Sequence, residues 1–470
     1  MRNSIVRIKS IAIQNFKNVK NGYIHFENNR KPYRASVLGL YGQNGSGKTA
    51  LIDAIMLLKF ALSGRVIPLK FADYIHIDAK FATLKYEFDI KNTLTNDLYN
   101  VFYEFRIRKD IDTSEQNSAT SLDVTKNFKV TIFDETLSCS LVGNQKSWRK
   151  SEIVDTKTDA AFIPKTKYDI LTGNNSTLET DLLVVKKLTL ASSRSFVFSG
   201  EMRRTILQNC KDGLYVFLFE SLMNFGNYGL FVINTVNTGL ISMNALPLLF
   251  KYSEGTHSSV GEVMISLNEP AVIPDKAVHV VKKVIESMNV VLSRMIPKLT
   301  ISIKELGGQL LPNGDPGVKI QLVSNKNEKE IPLQYESEGI KKIISILQLL
   351  IVVYNQPSIT VAIDELDSGV FEYLLGELLR IISEQGEGQL IFTSHNLRPL
   401  ETIDRGFIAF TTTNPENRYI RMTNVKSNNN LRDFYYRDIV LGEQVEPVYA
   451  ETNSQEIAFA FREAGEISGT

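Results

Sequence analysis

The chain has 470 residues, of which 43% are hydrophobic and 22% charged, with a formal net charge of +1. That balance describes a globular protein able to bury a large core, and it excludes both a disordered chain and a globally basic nucleic-acid-binding tail. Two cysteines, Cys139 and Cys210, lie far apart and indicate neither a disulfide framework nor a zinc knuckle, so a reducing cytoplasm is the expected setting.

The opening "MRNSIVRIKSIAIQNF" has no apolar core of signal-peptide length. The longest apolar stretch, residues 343–354, is too short to span a bilayer, so no membrane role is expected. The apolar "ASVLGLY" reads as a strand and leads directly into Gly42, Asn44, Gly45, Gly47, Lys48 and Thr49, which satisfy G-x-x-x-x-G-K-[ST] without a gap. Such a loop turns backbone N–H groups toward phosphate. Lys48 reaches the β- and γ-phosphates and the Thr49 hydroxyl holds Mg²⁺, so ATP and Mg²⁺ are the expected ligands. Residues 49–63 carry Leu51, Ile52, Ile55, Met56, Leu58 and Leu62 at helical spacing with Gly64 as a stop, which aims a helix N-terminus at the nucleotide.

Residues 81–107 alternate apolar and polar side chains around "NTLTND", an antiparallel hairpin. The polar stretch 109–180 reads as strands joined by long loops, with strands at 128–133 and 139–142. Val278, Val281, Ile285, Met288, Leu292 and Met295 predict a helix between Pro274 and Pro297. "LTISIKEL" and "GVKIQLVS" flank "GGQLLPNGDP" as a second hairpin, and 339–354 return to helix; no segment sustains the heptads of a long coiled coil.

In "SITVAIDELDSG", residues 358–369, an apolar strand ends in adjacent carboxylates, the Walker B pattern. Asp364 is the expected Mg²⁺ ligand and Glu365 the general base for the attacking water. An apolar strand ending in an acidic turn is ordinary by itself; beside a phosphate loop it gains meaning. "GQLIFTSHN", 388–396, repeats the design, and His395 arrives one helix and one strand after Glu365, which predicts a neighbouring parallel strand with both groups at its carboxyl end.

This order of phosphate loop, long insertion, Asp-Glu strand and His strand resembles the ABC-type ATPase heads of the SMC, RecF and OLD families. "IKSIAIQNFKNVKNGYIHF" is similar to their opening strand pair, with Asn15, Phe16 and Lys17 at the corner. The resemblance implies an α/β P-loop NTPase head, with a mixed, mainly parallel core sheet, an antiparallel β-lobe and a compact helical insertion in place of a long coiled coil. The parts would be 1–145 (phosphate loop and β-lobe), 146–300 (helical or mixed insertion), 301–440 (signature, Walker B and His switch) and a tail, 441–470. In "YESEGIKKIISI" Ser337 and Gly339 match the ABC signature, whose role is to cap the γ-phosphate of a nucleotide held by the opposite subunit. Glu336 stands where the pattern has leucine, Glu338 where it has glycine, and Ile340 follows. Asp367 in "DSG" matches the D-loop, and Gln208 is the candidate for the Q-loop glutamine.

Within that superfamily, "IDELDSG", "TSHN" and "TTTNPENRYIRM" resemble the AAA ATPases of bacterial abortive-infection operons, of AbiL and PARIS type. The resemblance implies a sensor that self-associates as at least a dimer, responds to a phage-derived trigger and controls a separate effector, a nuclease of TOPRIM or HNH type. The 75 residues after His395 are too few for a nuclease domain besides the end of the head. A repair ATPase of RecF or SMC type shares the nucleotide motifs. Basic and aromatic residues interleave at 418–437 (Arg418, Tyr419, Arg421, Lys426, Arg432, Phe434, Tyr435, Tyr436, Arg437) and could track a nucleic-acid strand or form a solvated face over core aromatics. A transporter subunit fits the altered signature and large insertion less well, and a scaffold that binds ATP without turnover would leave Glu365 unused.

Overall fold

The computed structural model describes residues 3–28, 30, 33–112, 128–142, 147–233, 245–254, 257–266, 269–326, 329–423, 430–442, 444–450 and 453–468. β1 (Ser4–Phe16) and β2 (Val19–His25) form the opening hairpin, β3 (Ser36–Tyr41) enters the phosphate loop and α1 (Lys48–Leu62) leaves it. β4 (Ala82–Asn92), β5 (Leu98–Ile111), β6 (Phe128–Val142) and β7 (Trp148–Asp155) join the hairpin in one antiparallel sheet, ordered β2-β1-β4-β5-β6-β7. Because β7 pairs with β6, the β-lobe runs past residue 145.

Residues 128–133 and 139–142, expected as two strands, belong to the single strand β6. The polar "DET" between them reads as a break, but Asp134 takes up a left-handed φ of 52° at a register shift and the pairing resumes. Glu135 is buried there, and its carboxylate accepts from Tyr103 Oη (2.6 Å), Ser195 Oγ (2.5 Å) and the Phe196 N–H (2.7 Å). The end of the polar stretch is also helical rather than looped: α2 (Lys165–Thr172) stops at the left-handed Gly173, and α3 (Leu178–Ala191) carries Glu179 and Asp181 in its first turn, where they suit the helix dipole.

After α4 (Gly200–Asn209) and α5 (Gly213–Asn224), β8 (Leu230–Ile233) returns to the centre of the molecule. The hairpin β9 (Ala245–Glu254) and β10 (His257–Ser266) precedes β11 (Ala271–Pro274) and α6 (Asp275–Met295), which buries Val278, Val281, Ile285, Met288 and Leu292. β12 (Leu299–Leu310) and β13 (Pro316–Lys326) form the second expected hairpin, with strands that extend further into its connection, and β14 (Lys329–Pro332) pairs with β13. α7 (Glu338–Asn355), β15 (Thr360–Ile363), α8 (Glu372–Gln385), β16 (Gln389–Thr393), β17 (Ile408–Thr411) and β18 (Tyr419–Ile420) complete the head; α9 (Pro399–Thr402), α10 (Leu431–Leu441) and α11 (Ser454–Ser468) lie around and beyond it.

The central sheet has the order β18-β17-β3-β16-β15-β8, parallel throughout except for the β17–β18 hairpin. Its strands are apolar on both faces because both are covered. Leu38, Leu40, Ala362, Ile391, Ala409 and Val232 face one core with α1 and the β-lobe. Val37, Tyr41, Val361, Ile363, Phe392, Phe410 and Ile233 face the other with α6, α7 and α8. α1 is buried on nearly every side, as a helix held between two sheets must be. Among the described residues no helix is long and apolar enough to cross a membrane.

Candidate nucleotide site

The phosphate loop follows β3 at the carboxyl edge of the central sheet, where parallel strands open toward ligands. Gly42, Gly45 and Gly47 have φ of 151°, 76° and 98°, which only glycine adopts freely. A Cβ on Gly42 would also lie 1.8 Å from Thr411 Oγ1, so this position needs glycine for space as well as for conformation. Gly47 caps α1 without a side-chain hydrogen bond, leaving the first N–H groups of that helix for an anion. Lys48 is buried, and its Nζ donates to Gly42 O (2.7 Å) and Gln43 O (3.0 Å) across the loop. Burial lowers the Lys48 pKa, while Asp364, Glu365 and Asp367 act in the opposite sense. Asn44 and Gly45 form the exposed tip, and Thr49 is half-buried at the start of α1.

Other elements brace the loop. Asn18, just after the Asn15–Lys17 corner, donates to Gly45 O; Tyr419 Oη donates to Gly47 O (2.9 Å); Ser46 Oγ meets Thr411 Oγ1; the Ala450 N–H donates to Gln43 Oε1 (2.9 Å). In the corner, Asn15 and Lys17 have left-handed φ of 56° and 53°, and the Lys17 ammonium bonds Asp53 of α1 and lies over the Tyr74 ring.

β15 delivers Asp364, 1% exposed, beside the loop, and Thr393 at the end of β16 fixes the pair: its Oγ1 donates to Asp364 Oδ1 (2.6 Å) and accepts from the Glu365 N–H (2.8 Å). Glu365 holds a left-handed φ of 49°, a strained conformation for a non-glycine residue and one met at functional turns. Asp367 Oδ2 accepts the N–H groups of His395 (3.1 Å) and Asn396 (2.9 Å), so the turn after β15 is tied to the exposed His395.

Ser337 and Gly339 stand at the start of α7. Ser337 is the N-cap, and its exposed Oγ accepts from the Ile340 N–H at 3.4 Å. A Cβ on Gly339 would lie 2.4 Å from Gly369 O, so the signature segment touches the "DSG" turn backbone to backbone. Gln208 is exposed on α4, a helix of the inserted lobe. β15 lies between β16, the parallel strand that leads to His395, and β8, whose last residue, Ile233, accepts the Asp364 N–H (2.8 Å).

Of the two readings of the basic and aromatic run at 418–437, the described residues favour a face over core aromatics, with several of the basic groups turned to the chain's own backbone. Arg418 donates to Thr412 O (2.7 Å) and Asn18 O (2.6 Å), and Arg421 to the carbonyls of Gly406, Ile408 and His25. Tyr419, Phe434 and Tyr435 are buried and Arg432 pairs with Glu401 (3.0 Å); Tyr436 and Arg437 are exposed, and Lys426 lies outside the described residues. Sequence reasoning missed Asn18, Thr393, Thr411, Arg418 and Tyr419 as parts of the site. Thr393 alone carried a signal, since it is the last residue of the strand that leads to His395.

The donors fit a nucleotide: a glycine loop with unclaimed helix N–H groups, a lysine across it, and a hydroxyl and a buried carboxylate able to hold a divalent cation. Among the described residues no three His, Cys, Asp or Glu side chains are grouped so as to hold a metal ion. Fold and site together define a P-loop ATPase.

The model of the AAA ATPase domain family AAA_15 matches residues 7–398, and the chain belongs to that family. Solved structures similar to it include the SMC head domain from Thermotoga maritima (15% identity over 88% of this chain and 99% of that one, TM-score 0.36). The Smc head with a coiled coil and joint from Pyrococcus yayanosii gives 9% identity, 89% and 98% coverage and a TM-score of 0.38. The recombination mediator RecF-ATPrS of the RecFOR pathway gives 13%, 88%, 98% and 0.35. No curated protein matches the chain.

Proposed function

We propose that this ATPase is an assembly switch: two copies close on ATP, each offering Ser337 and Gly339 to the nucleotide held by the other, and hydrolysis releases them. The observation that carries it is the exposed signature serine at a helix N-terminus packed on the "DSG" turn, with Tyr335, Phe371 and Tyr373 left 73%, 71% and 55% exposed in the flanking sequence. Exposed aromatics beside an incomplete anion site suit a second copy. Within one copy, Lys48 and the loop N–H groups bind the phosphates, Glu365 takes the proton of the attacking water, and His395 orients that water or the γ-phosphate. Thr49 and Asp364 would hold Mg²⁺, which neutralises phosphate charge when bound.

In the cell, this switch would serve as the sensor and regulatory subunit of a bacterial anti-phage, abortive-infection system, turning on a separate effector nuclease. The support is the motif resemblance; a RecF-like or SMC-like repair ATPase acting on DNA is the alternative. The test is the light-scattering mass of Glu365→Gln protein with and without ATP and Mg²⁺. A nucleotide-dependent dimer that Ser337→Arg abolishes is expected, and a monomer under all conditions overturns the switch. Turnover stimulated by duplex DNA alone, without effect of an added effector, would favour the repair reading.

A further inference from the structure

Lys342 is a buried ammonium that the chemistry above does not use. It lies in α7 five positions after Ser337, is 5% exposed, and its Nζ has no hydrogen-bond partner among the described residues. Its neighbour Lys341 is equally buried but is paired, with Glu338 at 2.6 Å and Gln334 O at 3.5 Å. A cation is kept in such a place only where opposite charge faces it. The charges acting on Lys342 to keep it protonated, against the burial that lowers its pKa, are those of Asp367, Glu365 and Asp364, Asp367 the largest. Asp367 has the complementary defect: Oδ2 takes two N–H groups at the His395 segment, while Oδ1 is buried and has no hydrogen-bond partner among the described residues. The elements that carry the two residues meet without a side chain between them, at Gly339 and Gly369.

We propose that Lys342 is the counter-charge of Asp367 and a positioning residue for hydrolysis, fixing the turn 364–369, and with it Glu365 and the His395 main chain, relative to the signature helix. A second copy pressing on Ser337 would then act on the general base through α7. The inference rests on the hydrolytic reading of Glu365.

The test is steady-state ATP turnover by Lys342→Met, Lys342→Arg, Asp367→Asn and the Lys342→Met/Asp367→Asn double variant. Lys342→Met is expected to lose roughly tenfold or more in kcat with KM for ATP changed less than about threefold, because a positioning charge acts on the step and not on binding. Lys342→Arg should keep most of kcat, and the double variant should be no worse than Lys342→Met, since removing the carboxylate charge removes the need for its partner. Losses that multiply independently, or wild-type kcat in Lys342→Met, overturn the proposal. Should Lys342→Met fail to fold, Asp367→Asn decides: it keeps an acceptor for the His395 and Asn396 N–H groups, so its kcat falls if charge pairing matters and stays at wild type if it does not. Glu365→Gln assayed in parallel separates the two readings, because turnover undiminished there refutes the catalytic assignment whatever Lys342 does.

Discussion

Around the phosphate loop the carbonyls of Gly42, Gln43, Gly45 and Gly47 each accept a hydrogen bond from a side chain, from Lys48, Ser46, Asn18 or Tyr419, three different parts of the fold. At the start of α7 the Ser337 hydroxyl has, among the described residues, only the 3.4 Å contact with its own helix, and Tyr335 and Glu338 near it are exposed. The first region is held in shape before any ligand arrives, so binding there need not order it. The second has its backbone fixed by the Gly339–Gly369 contact but its hydroxyl and surface uncommitted. Under the proposed assembly switch, nucleotide binding would belong to one chain, while the signature would gain its function from a second copy.

The largest effect should come from breaking the prebuilt half. Lys48→Ala removes the one ammonium that spans the loop, and a fluorescent-nucleotide titration is expected to show at least about 100-fold weaker binding, the loss of two charge-assisted bonds. Affinity within threefold of wild type would mean that the glycine loop and helix N-terminus suffice. Next is Thr393→Val, which takes one bond from Asp364 and one from the Glu365 N–H. Roughly 30-fold slower turnover with a smaller loss of nucleotide affinity is expected, because the Glu365 step follows binding while Asp364 keeps its carboxylate for the cation.

How far this site was legible follows the same division. Residues 42–49, 364–365 and 395 could be read because each motif is local, a strand end followed by residues of fixed type, and the sheet brings the ends together. α1, α6, the hairpin of β4 and β5, and the hairpin of β12 and β13 were legible from periodicity for the same reason. The braces were not: Asn18 and Tyr419 reach the loop from 27 and 372 residues away, through pairings that no local pattern encodes. The "DET" of β6 hid a continuous strand, because Glu135 is satisfied by Ser195 and Phe196, far along the chain. Arg418 and Arg421 left two readings open for a related reason: basic side chains suit an anion partner or a solvated face, and only the fold shows that backbone carbonyls take their donors.

At the open half, Gly339→Ala tests whether the contact with the "DSG" turn matters, since the new Cβ would lie 2.4 Å from Gly369 O and one segment must shift. ATP affinity of the single copy is expected to change less than about twofold, while nucleotide-dependent self-association weakens on the order of tenfold. Assembly equal to wild type would show that the two segments act independently.

The smallest effect on the folded chain, and the one that most sharpens the comparison, is expected from Ser337→Ala. As an N-cap the serine should be worth about 1 kcal/mol, but a 3.4 Å contact at an exposed position lies at the weak end of that range, so thermal unfolding of the nucleotide-free protein should move by about 0.5 kcal/mol or less. If Ser337 served only α7, loss of stability and loss of assembly would be equally slight. If it completes a partner's site, the substitution removes a hydroxyl donor and N-terminal geometry aimed at phosphate, and sedimentation of the Glu365→Gln/Ser337→Ala protein with ATP should show assembly falling far out of proportion to stability. A stability loss well above 1 kcal/mol, with assembly reduced only in step, would make the serine a cap and return the burden of trans contact to the Gly339–Gly369 backbone.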